Sequence, residues 1–164
     1  MSKKILVVSD SHGVNMNLRK AVAAFGERGQ QLEMLIHLGD LGSLAGIEKL
    51  VDCPVLAVRG NCDTAPELPK TQLVSIGNET VWLTHGHLYG CKAGTERMKD
   101  AAKENGAGIV LFGHTHIPLM ENFSDIKVMN PGSITMPRQE GHCPTYMVIT
   151  VEEDGHLEFA IVTM

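Results

Sequence analysis

A chain of 164 residues is long enough to bury a substantial core, and its formal net charge of -5 argues against a nucleic-acid backbone as its main partner. Aromatic residues make up only 4% of it, too few to offer stacking platforms for single-stranded bases. No apolar run approaches the length of a membrane span.

Ile5, Leu6, Val7 and Val8 form a continuous apolar run, which predicts a buried strand over Lys4–Ser9. A helix over Asn15–Arg28 follows, with Leu18, Ala21, Val22 and Phe25 on one face. A second strand is expected over Glu33–Leu38, then a short helix carrying Leu44, Ile47 and Leu50. A third strand spans Pro54–Val58. Gln72–Ile76 and Thr80–Thr84 read as a hairpin about Gly77-Asn78. A helix over Thr95–Asn105 stops at Gly106, and Ile109–Phe112 is a further strand. The last third is richer in strands: Ile126–Met129, Tyr146–Val151 and Leu157–Val162. No linker or internal repeat interrupts residues 1–164, so one domain is expected. The N-terminal apolar run is too short and too soon interrupted for a secretory signal, which makes a cytoplasmic protein the expectation. Cys53, Cys62, Cys91 and Cys143 show no paired spacing and read as reduced thiols. Cys53, Cys91 and Cys143 are expected in the interior, and the nine methionines read as core filler.

One regularity carries chemistry. Five predicted strands each run, within a few residues, into Asp10, Asp40, Asn61, His85 and His114. In α/β folds the carboxyl ends of strands share an edge where ligand sites form, so residues far apart in sequence converge there. The segments are Asp10-Ser11-His12-Gly13, Gly39-Asp40, Gly60-Asn61-Cys62-Asp63, His85-Gly86-His87 and Gly113-His114-Thr115-His116. They supply carboxylate, amide and imidazole donors, a set suited to borderline divalent metals rather than to a cysteine-rich structural zinc.

In order and spacing, these five segments resemble the D-x-H, G-D, G-N-x-D, H-G-H and G-H-x-H signature of the calcineurin-like metallophosphoesterase superfamily. Any one of them occurs often by chance; five in chain order, each after a predicted strand, do not. Asn130-Pro131-Gly132-Ser133 resembles a further segment of the small bacterial and archaeal phosphodiesterase branch, though it also reads simply as a turn. The resemblance implies a four-layer α/β/β/α sandwich, where periodicity alone gives only an α/β chain with a β-rich C-terminus. It implies two divalent metal ions, Mn²⁺ foremost, with Ni²⁺, Co²⁺, Fe²⁺ or Zn²⁺ as alternatives. Asp10, His12, Asp40 and His116 would hold the first ion. Asp40, Asn61, His85 and His114 would hold the second, with Asp40 bridging through its two oxygens. A metal-bridging hydroxide would then attack a phosphate ester.

Many members of the superfamily carry a histidine after the G-N pair, where it protonates the leaving group. Here that position is Cys62, as in the small phosphodiesterase branch, and His87 is the candidate donor in its place. Formal counting leaves about one positive charge on the loaded site, which with Cys62 favours a diester over a monoester. Asp63 is expected to orient its own loop. His37, His142 and His156 read as packing or surface residues. The expected partner is a small-molecule phosphoester, with no nucleic acid or membrane, and self-association into a homo-oligomer is left open. Rival readings are a phosphomonoesterase or nucleotide pyrophosphatase on the same residues, a DNA nuclease of the superfamily, and a non-catalytic scaffold such as the retromer subunit of this fold.

Overall fold

Alternation along the strands decides the layering. The computed structural model describes residues 1–164. In β1 (Lys3–Val8), Ile5 and Val7 point to one face and Leu6 and Val8 to the other, and all four are buried. A strand apolar on both faces must be covered on both sides. The same holds for β5 (Glu79–Thr84), where Val81 and Leu83 face one way and Trp82 the other.

The first sheet has the order β10-β9-β1-β2-β3, built with β2 (Leu32–His37), β3 (Val55–Ala57), β9 (Thr145–Val151) and β10 (Leu157–Thr163). The second has the order β4-β5-β6-β8-β7, built with β4 (Thr71–Ile76), β6 (Ile109–Leu111), β7 (Pro118–Asn122) and β8 (Lys127–Pro131). Within them β1, β2 and β3 run parallel, as do β5, β6 and β8. Both sheets are mixed, since β9, β10, β4 and β7 pair antiparallel.

Three apolar clusters mark three interfaces. Ile5, Val7, Ile36 and Leu38 of the first sheet meet Val81, Leu83, Ile109 and Leu111 of the second in the centre. On the outer face of the first sheet, Leu6, Val8 and Leu35 pack on Leu18, Ala21 and Phe25 of α1 (Met16–Glu27) and on Ile47 of α2 (Leu44–Glu48). On the outer face of the second, Trp82, Val110 and Val128 pack on Met98 and Ala102 of α3 (Glu96–Glu104). The result is the expected sandwich of two sheets with helices outside. No helix is long and apolar enough to cross a membrane.

The structure departs from the sequence reading in four places. β7 was not expected, because Pro118 opens it and Glu121-Asn122 end it; as an edge strand paired only to β8, it tolerates a proline at its first residue. β8 continues through Asn130-Pro131, residues read as part of a turn. The methionines are not chiefly core filler: Met98, Met129 and Met147 are buried, but Met1, Met16, Met120, Met136 and Met164 are exposed. Cys143 is likewise exposed rather than interior, and all four cysteines are unpaired.

Leu83 is fully buried between the two sheets. Leu83→Ala is expected to lower the unfolding free energy by about 2–5 kcal/mol in urea denaturation. A loss below about 1 kcal/mol would mean that the centre of the sandwich is loosely packed.

Candidate metal centre

The parallel strands of both sheets bring the sequence-predicted residues to one edge. Asp10 and His12 follow β1, Asp40 follows β2 and Asn61 follows β3, while His85 follows β5 and His114 and His116 follow β6. Backbone hydrogen bonds tie these loops together. Asp10 N–H donates to Gly39 O at 3.0 Å, His12 N–H to Asp40 O at 2.8 Å, and Gly113 N–H to His85 O at 3.1 Å. Asp10, His12, Asp40, His114 and His116 all have left-handed backbone, with φ of 56°, 49°, 55°, 68° and 60°. Non-glycine residues rarely adopt that conformation, and such strain gathers where side chains are aimed for a purpose.

Asp10 lies at the centre, with its carboxylate wholly buried. Its Oδ2 accepts from Ser9 Oγ–H at 2.6 Å and from His114 N–H at 3.1 Å. Its Oδ1 has no hydrogen-bond partner. Around that orphaned oxygen stand His116 Nε2 at 3.2 Å, His85 Nε2 at 3.8 Å and His12 Nε2 at 3.9 Å. Asp40 Oδ2 is 3.3 Å from His85 Nε2 and 3.8 Å from His12 Nε2, while Asp40 Oδ1 accepts from Cys62 N–H at 2.8 Å.

The imidazoles are oriented from behind. His85 Nδ1–H donates to Leu38 O at 2.7 Å, and His116 Nδ1–H donates to Met136 O at 2.6 Å. With Nδ1 carrying the proton, the Nε2 lone pair of each neutral ring is turned into the site. His85 Nε2 then faces Asn61 Oδ1 at 3.0 Å and His114 Nδ1 at 3.2 Å, and His116 Nε2 faces His12 Nε2 at 3.4 Å. With the rings neutral these contacts set acceptors against acceptors, which a cation, either a proton on His85 or a shared metal ion, resolves. The residues form two overlapping sets of metal-ligand spacing: Asp10, His12 and His116, and Asp40, His85 and His114. An orphaned buried carboxylate oxygen and converging lone pairs fit divalent metal ions.

The titration shifts have the same origin. Burial pushes the Asp40 carboxyl up, but the hydrogen bond and charge of His85 and the Cys62 N–H outweigh it and hold the group below the usual carboxylate range. Burial likewise raises Asp10, and His116, His85 and Ser9 overcome it. His85 is raised, because Asp40 and Asp10 outweigh its burial. His114 falls to about 4 through burial and the neighbouring charges of His85 and Lys92.

Supporting residues that sequence reasoning undervalued hold this arrangement. Asp63 does orient its own loop, its Oδ2 accepting from Gly60 N–H at 2.8 Å, but it does more for Asp40. It also accepts from Asp40 N–H at 2.7 Å, Leu41 N–H at 3.1 Å and Gly42 N–H at 3.3 Å. Gly60 is required by close approach, since a Cβ there would sit 2.0 Å from Asp40 Oδ1. Ser133 Oγ–H donates to Asp10 O at 2.9 Å, and Asn130 Nδ2–H donates to Gly113 O at 3.0 Å. The Asn130–Ser133 segment is therefore a brace between the loops. Gly132 is packed closely within that brace: a Cβ on it would meet buried Thr145 Oγ1 at 2.1 Å.

His87 lies beside the site, its ring centroid 5.3 Å from His85 and 6.0 Å from His114. Burial and the charge of His85 lower it, so it is neutral near pH 7. Cys62 is exposed, and burial of part of its side chain and the Asp40 carboxylate push its thiol up. His142 and His156 lie exposed and away from the site. A cleft of about 640 Å³ lies at the opposite edge, among the amino ends of β1, β2 and β5. Its lining sets Glu33, Glu152, Glu153 and Asp154 against Lys3 and the Met1 amino group, a net negative balance that does not favour a phosphate.

Residues 4–154 match the calcineurin-like phosphoesterase superfamily domain. The chain belongs to that superfamily. It is accordingly a hydrolase of phosphoesters. It is 34% identical over 151 residues to the probable metallophosphoesterase YsnB of Bacillus subtilis, covering 92% of this chain and 86% of that protein. Its fold matches a structure described as a novel archaeal phosphodiesterase with a TM-score of 0.76, at 25% identity over 98% of this chain and 99% of the other. A zinc complex of Vps29 from Entamoeba histolytica shares the fold at a TM-score of 0.75 and 20% identity, over 98% of both chains.

His37 is a packing residue, as expected, and wholly buried. Its Nδ1 accepts from Gly39 N–H at 3.2 Å and its Nε2–H donates to Ser11 Oγ at 2.8 Å, which locks the ring neutral between two of the loops. Burial lowers its pKa to about 4 from an ordinary 6.5. Between those values the unfolded chain binds a proton that the folded chain refuses, so stability is lost as pH falls through the window. His37→Gln is expected to flatten the pH dependence of unfolding free energy by about 1.4 kcal/mol per pH unit there. Parallel curves for the two proteins would show that His37 takes its proton in the folded state.

Proposed function

We propose that the chain is a metal-dependent phosphodiesterase acting on a small molecule at a two-metal site. The observation that supports this most is the buried Asp10 Oδ1, which has no hydrogen-bond partner and is ringed by the imidazole nitrogens of His116, His85 and His12. Asp10, His12, Asp40 and His116 would hold one ion; Asp40, Asn61, His85 and His114 would hold the other. Asp40 would be shared by the two ions: its Oδ1 accepts from the Cys62 N–H, and its Oδ2 faces both His12 and His85. When bound, such ions supply Lewis acidity to the phosphate and an activated water. Mn²⁺ is the leading candidate for both positions.

The chain's own residues set the rest. Asp10 and Asp40 cancel two of the four positive charges of two divalent ions, leaving the site able to attract an anion. Leu38 O and Met136 O fix the ring orientations, so little reorganisation is required as the ligand set closes. Proton delivery is the weak point. His87 is neutral and the Cys62 thiol is raised, so neither side chain is an effective acid near pH 7. A substrate whose leaving group departs without full protonation suits this site, which supports diester hydrolysis over cleavage of a poorly activated monoester. A cytoplasmic setting remains part of the same reading.

Metal-stripped protein resupplied with Mn²⁺, Ni²⁺, Co²⁺, Zn²⁺ or Mg²⁺ is expected to cleave a chromogenic phosphodiester faster than the matching monoester. Asp40→Asn should lower turnover by on the order of 10²–10³-fold or more. Two ions bound without cleavage under any metal would instead support the scaffold reading. Across a series of aryl phosphodiesters, the rate is expected to rise steeply as the leaving phenol becomes more acidic. A flat dependence would reveal an effective general acid that the geometry does not supply.

A further inference from the structure

Building on the metal-site reading, we infer that Cys62 is a switchable soft ligand, which lets the His12 side of the site capture a thiophilic cation such as Cd²⁺ or Zn²⁺ in a His12–Asp40–Cys62 set. Its distinguishing feature is that a thiol, at a position where neither resemblance nor spacing assigns a ligand, lies in ligand register. A ring nitrogen of His12, a carboxylate oxygen of Asp40 and Cys62 Sγ lie within 4.8 Å of one another. Ligand atoms on one tetrahedral ion stand about 3.6 Å apart, so only a small closing movement separates the three from coordination.

The backbone keeps the thiol in place. Cys62 N–H donates to Asp40 Oδ1 at 2.8 Å, so the residue is pinned to the same carboxylate that would share the ion. Its Sγ accepts from Asn61 Nδ2 at 3.5 Å, and the residue is exposed to solvent. A further donor waits opposite: the unpartnered, buried Asp10 Oδ1 lies 3.9 Å from His12 Nε2.

Softness supplies the selectivity. The imidazole and carboxylate donors do not discriminate strongly among borderline divalent ions, whereas a thiolate favours Zn²⁺ and Cd²⁺ over Mn²⁺ and Mg²⁺. On coordination the thiol proton passes to water and a sulfur–metal bond forms. Hard ions leave Cys62 as a free thiol on the solvent side, where a phosphate must enter. Soft ions draw it inward. Cys62 is thereby a residue that discriminates among metals, favouring thiophilic ions over Mn²⁺ and Mg²⁺.

The test titrates metal-free full-length protein with Co²⁺ and Cd²⁺, following thiolate-to-metal charge-transfer absorption in the ultraviolet, with calorimetry in parallel. The expected result is a saturating band of one thiolate per chain, present in wild type and in Cys143→Ser and absent in Cys62→Ser. Cd²⁺ affinity should fall on the order of 10–100-fold in Cys62→Ser, while Mn²⁺ affinity changes by less than about threefold. Calorimetric Co²⁺ binding without the band, or a band that survives Cys62→Ser, overturns the inference and leaves the hydrolase reading standing. Absence of all metal binding overturns both.

Discussion

A buried carboxylate oxygen without a partner is the constraint on which the rest of this structure depends. Asp10 Oδ1 is enclosed by the imidazoles of His116, His85 and His12, the first two held in place by Nδ1–H bonds to Met136 O and Leu38 O. Leaving such a group buried is costly, and a fold tolerates it where something else completes the contact. Much else is arranged in service of that point. Left-handed backbone aims Asp10 and four of the residues around it, and Asp63 gathers the N–H groups of Asp40, Leu41, Gly42 and Gly60 onto one carboxylate.

Sequence reasoning recovered the outline of this arrangement because its signal is local. A buried parallel strand is a short apolar run, and the polar residue that follows marks its carboxyl end. Asp10, Asp40, Asn61, His85 and His114 were therefore legible as a set rather than singly, since each alone reads equally as a satisfied loop residue. The rule that strands of α/β folds present their carboxyl ends along one edge brought the set together. The layering was not legible in the same way. That Ile5 faces the other sheet and Leu6 a helix follows from pairing across long sequence separations, and both residues read alike as hydrophobic. β7 was missed because its proline and polar residues suit an edge and disguise a strand.

The supporting residues were hardest to read. Ser133 reaches Asp10 across 123 positions of sequence, and His37 joins Ser11 to Gly39 from inside a strand that otherwise looks like plain core. Nothing in their immediate neighbours distinguishes them from a turn serine and a satisfied histidine. Asp63 gave a partial signal through its motif, but its hold on the Asp40 loop depends on β3 lying beside β2. Residues that act on others through hydrogen bonds require the partner's position before their role can be named.

The centre also straddles the sandwich. Asp10, His12, Asp40 and Asn61 hang from one sheet, and His85, His114 and His116 from the other. Between the sheets the central contact is apolar and non-directional, and at this edge it is joined by directional bonds from His85 to Leu38 O, from His114 N–H to Asp10 Oδ2 and from Ser133 to Asp10 O. Ions held at this edge would act as a further clasp between the two leaves. Loading would then be coupled to resistance against opening, rising with free metal as any ligand selective for the native state demands. Metal scarcity would be felt first as a hinge loosened along one side, with the opposite edge still shut.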